Sequence, residues 1–336
     1  MLVLASVEQK PFNAVFIIYL DHKLQYVSHD IILEGKDIFG LCQYKKLVAG
    51  VSCNSKDGCM ISIFNPYNKT IDNFYKARPT LDRRYIYYTN KIWGDIHEIK
   101  YYNDYFVIVN TASDSLVVLK TDNSYSYSVN LYDFAISLNL KGAIYGRHSH
   151  ESNYYHFNSL YIDKDEQTFY VMAHNTRSID KSFIIKGDII LNKQKEPLFI
   201  PNSAILNLST ENNANSGKQC HDLLKIDKHI FYSESVNSCI SYINVSNGKK
   251  RIFFQDNKFG FVRGLSKYKN YLFIGSSDYR KASGKFQDKT LILNKPVYIP
   301  AIVILDTDTL KIVSIINFNS ITKYNEIEVR NILVLK

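Results

Sequence analysis

The feature that most constrains the fold of this chain is an opening that recurs six times. "DIHEIKYYNDYFVIVNT" from Asp95 aligns with "QCHDLLKIDKHIFYSES" from Gln219, "FVRGLSKYKNYLFIGSS" from Phe261, "HFNSLYIDKDEQTFYVMAH" from His156 and "DIFGLCQYKKLVAGVSC" from Asp37. Each copy begins polar, places an apolar residue two positions after a key residue, turns over Lys, Asp or Asn, and runs into a hydrophobic strand. A sixth opening, "EVRNILVLK" from Glu328, reaches the last residue of the sequence after one strand.

Anchoring on the apolar residue (Leu41, Ile99, Leu160, Leu223, Leu265, Ile332) gives separations of 58, 61, 63, 42 and 67 residues by subtraction. A four-stranded repeat takes roughly 40–50 residues, so long outer loops are expected. The 26 Tyr and 19 Phe stand among Ile and Val in short alternating runs bounded by Asn, Asp, Gly, Ser and Lys, the composition of pleated, half-buried strands. The sixth unit lacks three strands, and "MLVLASV", "NAVFIIYLD" and "KLQYVSHDII" supply three ahead of the first full repeat. The expectation is an all-β chain: a six-bladed β-propeller forming one domain over 1–336, closed by N-terminal strands that complete the C-terminal blade. Residues 1–35 and 328–336 share that blade, and the others start near 37, 95, 156, 219 and 261. Completion from both ends removes exposed sheet edges. A β-sandwich would accommodate the strands but explains neither the matched openings nor the split unit.

Composition narrows the function classes. With 46% hydrophobic residues in 336, the chain can bury a sizeable core and is not a disordered protein. The net charge of +9 is spread through turns with no Lys/Arg run longer than three, so nucleic acid is an unlikely partner. Five cysteines without CxxC spacing argue against a zinc ribbon or a disulfide framework and point to reduced thiols in the cytoplasm. The longest apolar run near the start, Ala14 to Leu20, is too short for a membrane span, so no membrane association is expected.

In a propeller the innermost strand of each blade lines the central channel, and residues two apart point the same way. The alignment predicts one layer of Phe39, His97, Asn158, His221, Arg263 and Arg330, and a second of Asp37, Asp95, His156, Gln219, Phe261 and Glu328. So many ionisable groups are costly to bury unless paired, coordinated or used. Ion-pair networks alone would also fill such a channel. Read functionally, His97, His221 and His156, with adjoining Glu98 and Asp222, supply acid and base groups, and the three histidines are candidate ligands for a divalent metal. Arg263 and Arg330 form an anion clamp, and Asn158, Ser276 and Arg280 are further ligand-binding candidates. Asp278 accompanies Ser276 and Arg280 over the mouth. His148 and His150 stand as a lid, an extra ligand or a solvated loop, and Trp93, Tyr154 and Tyr155 as stacking platforms or packing. No GxSxG, HExxH, GxGxxG or Walker pattern occurs.

Taken together, "DIHEI…NT", "HFNSL", "CHDL" and "VRGLSKYKNYLFIGSS…R" resemble a family of uncharacterised bacterial six-bladed β-propeller proteins with recurring His-Asp/Glu, Asn-Ser-Leu and Arg-Gly-Leu openings. The resemblance runs from about Asp95 onward and matches at His97, Asn158, His221, Arg263 and Ser276. It implies the fold and the channel and brings no reaction with it. Two functions remain open: an enzyme of lyase, hydrolase or epimerase type acting on a small anionic, sugar-like ligand in the channel, or a non-catalytic module recognising a glycan or a partner protein.

Overall fold

A run such as Tyr105–Asn110, apolar at nearly every position, makes a strand whose two faces are both buried, and each blade of this protein has one. The structure, a computed structural model, describes residues 1–10, 13–34, 38–54, 58–77, 96–140, 154–174, 181–206, 208, 217, 219–256, 258–277, 298–322 and 325–335. Asp37, Trp93, Asp95, His148, His150, Asp278 and Arg280 lie outside the described residues.

In chain order, β1 (Leu2–Lys10), β2 (Ala14–Leu20) and β3 (Tyr26–Ile32) precede the first complete sheet. That sheet is β4 (Ile38–Tyr44), β5 (Leu47–Asn54), β6 (Gly58–Phe64) and β7 (Ile71–Ala77). The second is β8 (Ile96–Tyr102), β9 (Tyr105–Asn110), β10 (Ser115–Lys120) and β11 (Ser126–Asn130). The third is β12 (Phe157–Asp163), β13 (Thr168–Ala173), β14 (Phe183–Leu191) and β15 (Pro197–Ile205). The fourth is β16 (Cys220–Ile226), β17 (His229–Glu234), β18 (Cys239–Asn244) and β19 (Lys250–Gln255). The fifth is β20 (Phe261–Tyr268), β21 (Tyr271–Ser277), β22 (Ala301–Asp306) and β23 (Ile312–Asn317). Finally β24 (Asn325–Leu335) pairs antiparallel with β1, from Leu2 opposite Leu335 to Lys10 opposite Asn325, and the sixth sheet reads β24-β1-β2-β3. The chain is all-β, a six-bladed propeller whose last blade is closed by its N-terminal strands.

The inner strands β4, β8, β12, β16, β20 and β24 touch one another in that order and back to β4, which makes the ring. The apolar residues collect in six clusters, each between two neighbouring blades. Strand alternation explains this: on β9, Val107 and Val109 face the third blade, while Phe106 and Ile108 face the first. Buried strands therefore read as continuous apolar runs, not alternating ones. Among the described residues, no helix is long and apolar enough to cross a membrane.

Candidate functional site

All six inner strands break register at the channel. The pairing skips Phe39 on β4, His97 on β8, Asn158 on β12 and Arg330 on β24, and it skips residue pairs Asp222–Leu223 on β16 and Arg263–Gly264 on β20. A β-bulge bends its strand and re-aims the unpaired side chain, so consecutive residues can both turn inward. This departs from the simple two-residue alternation expected from sequence. His156 and Gln219 precede their strands in left-handed conformations (φ 54° and 51°), and Asp222 and Gly264 share another such position (φ 57° and 85°). Glycine is suited to the last, because a Cβ there would lie 3.2–3.3 Å from Ile332 and Asn331.

The inward groups form an arc of rings. Phe39 and His97 have centroids 5.4 Å apart, His97 and His156 4.8 Å, His156 and His174 5.1 Å, His174 and His221 4.3 Å, and His221 and Phe261 5.5 Å. The circuit closes on the arginines: the Arg330 guanidinium carbon lies 4.2 Å from the Phe39 ring centroid. Arg263 Nη1 donates to Glu328 Oε1 at 3.1 Å, and Arg330 Nη2 donates to Glu8 Oε2. The structure thus brings together His97, His156, His221, Arg263 and Arg330, and adds His174, which the sequence reading missed.

His174 has a traceable signal. Every aligned stretch ends at one structural position, the residue after the second-strand partner of Ile38, Ile96, Phe157, Cys220 or Val262: Cys53, Thr111, His174, Ser235 and Ser277. Where that residue carries a hydroxyl, it bonds the next blade. Thr111 Oγ1 donates to Phe157 O at 2.5 Å and Ser235 Oγ to Val262 O at 2.7 Å, while Ser277 Oγ accepts from Val329 N at 3.0 Å. In the third blade the imidazole of His174 displaces the hydroxyl, and the Asn158 amide takes over by donating to Cys220 O at 3.1 Å. Asn158 is therefore committed to a blade joint. Ser276 is also placed away from the arc, donating to Ile299 O at 2.9 Å and accepting from Gly260 N at 3.1 Å. Tyr155 is fully buried, its hydroxyl donating to Leu140 O, which makes it packing.

The same hydroxyls fix two tautomers. Thr111 Oγ1 spends its one proton on Phe157 O, so at the 2.9 Å contact with His97 Nδ1 it must accept. Ser235 Oγ likewise spends its proton on Val262 O and accepts from His221 Nδ1 at 2.8 Å, with Gln219 O a second acceptor at 3.1 Å. In both histidines Nδ1 is therefore the donor, and a neutral ring with its proton there keeps its lone pair on Nε2. Burial holds His221 well below the usual histidine range, and His174, Arg263, His156 and His97 add to it, so it is neutral at pH 7. Long-range ¹H–¹⁵N spectra are expected to show Nε2 of His97 and His221 as unprotonated nitrogens. Thr111→Val should release His97 into a tautomer mixture while leaving His221 unchanged; an Nε2–H signal in the wild type would refute the assignment.

A second inward layer lies one residue on: Gly40, Glu98, Ser159, Asp222, Gly264 and Asn331. Asn331 Nδ2 donates to Glu98 Oε2 at 3.4 Å, reaching across from the sixth blade to the second. Asp222 Oδ2 accepts from Ser233 Oγ at 2.8 Å and from Gly264 N at 2.9 Å, and Ser159 Oγ accepts from Asp222 N at 2.7 Å. Burial raises both carboxyls above their usual range; Lys100, 3.3 Å from Glu98, opposes the rise there, and the Ser233 bond and Arg263 oppose it at Asp222.

The titrations have opposite signs. An unfolded histidine takes up its proton near 6.5, whereas folded His221 does not, so its contribution is complete above pH 7 and is lost as pH falls through that value. Asp114, raised by burial to about 6, binds its proton more tightly when folded and works the other way between pH 4 and 6. Thermal melts of wild type and His221→Gln should therefore diverge most at pH 7.5 and converge toward pH 5.5, by up to about 1.4 kcal/mol per pH unit. Parallel curves would mean that His221 charges normally.

Among the described residues, no three of His, Cys, Asp and Glu are arranged to hold a metal ion. His97, His156 and His221 are spread along the arc, with His174 between the last two.

Fold and site together define a six-bladed β-propeller whose channel sets an arc of imidazoles against two carboxylate-paired guanidiniums. No protein-family model matches the chain, and no curated protein does. Among solved structures it is similar to a chain of a nidogen/laminin complex, with a TM-score of 0.59 and 11% identity over 99% of this chain and 98% of that one. A protein of unknown function from Bacteroides caccae gives a TM-score of 0.55 at 11% identity, covering 98% of this chain and 97% of that one. At such identities the likeness is one of fold.

Proposed function

We propose that the channel binds a small, carboxylated, sugar-like ligand and moves a proton on it, as a lyase or epimerase does. The observation that carries this reading is the pair of Nδ1-protonated imidazoles, His97 and His221, each locked by a hydroxyl that also joins two blades. Such a group presents a proton acceptor without waiting for a tautomer shift, and a buried neutral histidine is a base at pH 7. His156, half-buried beside His97, is the candidate to return the proton. Arg263 and Arg330 hold the ligand carboxylate; a guanidinium has five donors, enough for its protein carboxylate and a ligand together. Glu98 and Asp222 lie beneath and shape the floor. The buried free thiols of Cys42, Cys220 and Cys239 support a reducing compartment, the cytoplasm.

The competing reading, a non-catalytic module for a glycan or partner protein, draws on the same arginines: both already have protein partners, as a purely structural channel requires. Incubation with hexuronates and aldonates in D₂O separates the two. The expected result is deuterium at the carbon next to the carboxylate, lost at least a hundredfold in His97→Gln and His221→Gln. Binding without exchange would favour the module, and absence of binding would remove the ligand class.

A further inference from the structure

We propose that Cys53 and Cys59 are a redox-active dithiol, which a low-molecular-weight disulfide oxidises to a cross-strand disulfide. The inference rests on backbone register and is separate from the reading above.

β5 and β6 pair antiparallel without a register shift from Val48 opposite Phe64 to Asn54 opposite Gly58, and in that ladder Cys53 stands directly opposite Cys59. Residues so opposed share one face of the sheet, with Cα atoms about 4.5–5.5 Å apart. A disulfide needs about 4.4–6.8 Å, so the bond can close without parting the strands. The spacing is that of a hairpin, six residues apart along the chain, which is why a search for CxxC passes over it.

No other pair among the five cysteines is so placed. Cys220 and Cys239 both pair with Glu234, one on each side of β17, so two strand spacings, roughly 9–10 Å, separate them. Cys42 is opposite Ala49 on β5, four residues before Cys53, roughly 13 Å along the strand. The remaining combinations join the first blade to the fourth, which do not adjoin. Burial also pushes the Cys42 thiol up to about 12, which leaves little of the thiolate that attacks a disulfide.

The position ties this chemistry to the channel. Cys53 follows Ser52, the partner of Ile38, and is the first blade's counterpart of Thr111, His174, Ser235 and Ser277. In blades two and four that position joins the next blade and holds a channel histidine. Oxidation ties the first blade's copy of it to β6. The loop enclosed is short, so the bond recovers little chain entropy and follows the surrounding thiol poise instead of stapling the fold. Disulfides of a reducing compartment are usually of this transient kind.

The reaction balances as two exchanges. One cysteine thiolate attacks a sulfur of the small disulfide, forming a mixed disulfide and expelling the first small thiolate. The other cysteine's thiolate attacks the protein sulfur of that mixed disulfide, closes the cross-strand bond and expels the second. Two electrons pass from the dithiol to the small disulfide, and the two protons given up by the cysteines end on the two small thiols.

Glutathione disulfide is the probe. Folded wild-type protein, reduced and then held in glutathione buffers of graded poise, is blocked with iodoacetamide, unfolded and digested without reduction. Trypsin cuts after Lys56, between the cysteines, so the disulfide is seen as two peptides held together until dithiothreitol parts them. The expected result is the loss of two of the five thiols, both from this pair and both recovered with dithiothreitol. Cys53→Ser should instead leave Cys59 as a mixed disulfide with glutathione; the wild-type arm needs no variant to fold. Both thiols still alkylated at oxidising poise, separate glutathione adducts on each, or a bond from either to Cys42, Cys220 or Cys239 would overturn the inference.

Discussion

Arg263→Ala should destabilise the protein by about 3–5 kcal/mol, because it leaves Glu328 charged, 7% exposed and without its 3.1 Å partner. The loss belongs to the abandoned carboxylate more than to the contact. The double variant Arg263→Met/Glu328→Leu is therefore expected to recover most of it, since a buried ion pair replaced by apolar residues of similar volume is often neutral. Urea unfolding of the three proteins checks this. A single-variant loss under about 1 kcal/mol would mean that water reaches Glu328 and screens it.

Gly275→Ala should cost about 3 kcal/mol or more. A Cβ on Gly275 would stand 2.1 Å from Arg263 O and 2.6 Å from Val329 Cγ1, and the nearest of these is backbone of the strand that aims Arg263. Relief requires β20 and β21 to part, and with them the joint to β24. Gly248→Ala is the control: nothing lies within 4 Å of its Cβ, and the cost is only the left-handed conformation, φ 69°, about 1 kcal/mol. Equal losses in the two variants would show that the Gly275 site can yield.

The architecture was legible because two physical demands repeat in the sequence. A blade buried on both faces needs apolar runs such as Tyr105–Asn110, and five of the six bulged inner strands pair a polar residue with an apolar one two places later, as in His97 and Ile99. The split blade was legible for the same reason, since β24 carries that opening and lacks strands to cover it. Chemical detail was less so. His174 stands in a position that elsewhere carries Thr, Ser or Cys, and one residue type out of pattern reads as divergence until the structure shows the arc. Asn158 and Ser276 were read as ligand-facing because polar residues near a channel look alike in sequence; whether an amide or hydroxyl faces a ligand or a neighbouring carbonyl depends on a bulge of one residue. Glu98 and Asp222 were named, but their common layer was hidden by an alternation rule that bulges suspend.

The pairing of β24 with β1 also sets an order of events during synthesis. β1 leaves the ribosome some 300 residues before its partner, which at roughly 5–20 residues per second is a wait of tens of seconds. Throughout that time one long edge of a nascent three-stranded sheet, β1-β2-β3, has no native neighbour, and it is apolar from Leu2 to Ala5. The interval in which another chain can pair with that edge is governed by translation speed, so slow codons late in the message would lengthen exposure without altering the finished molecule.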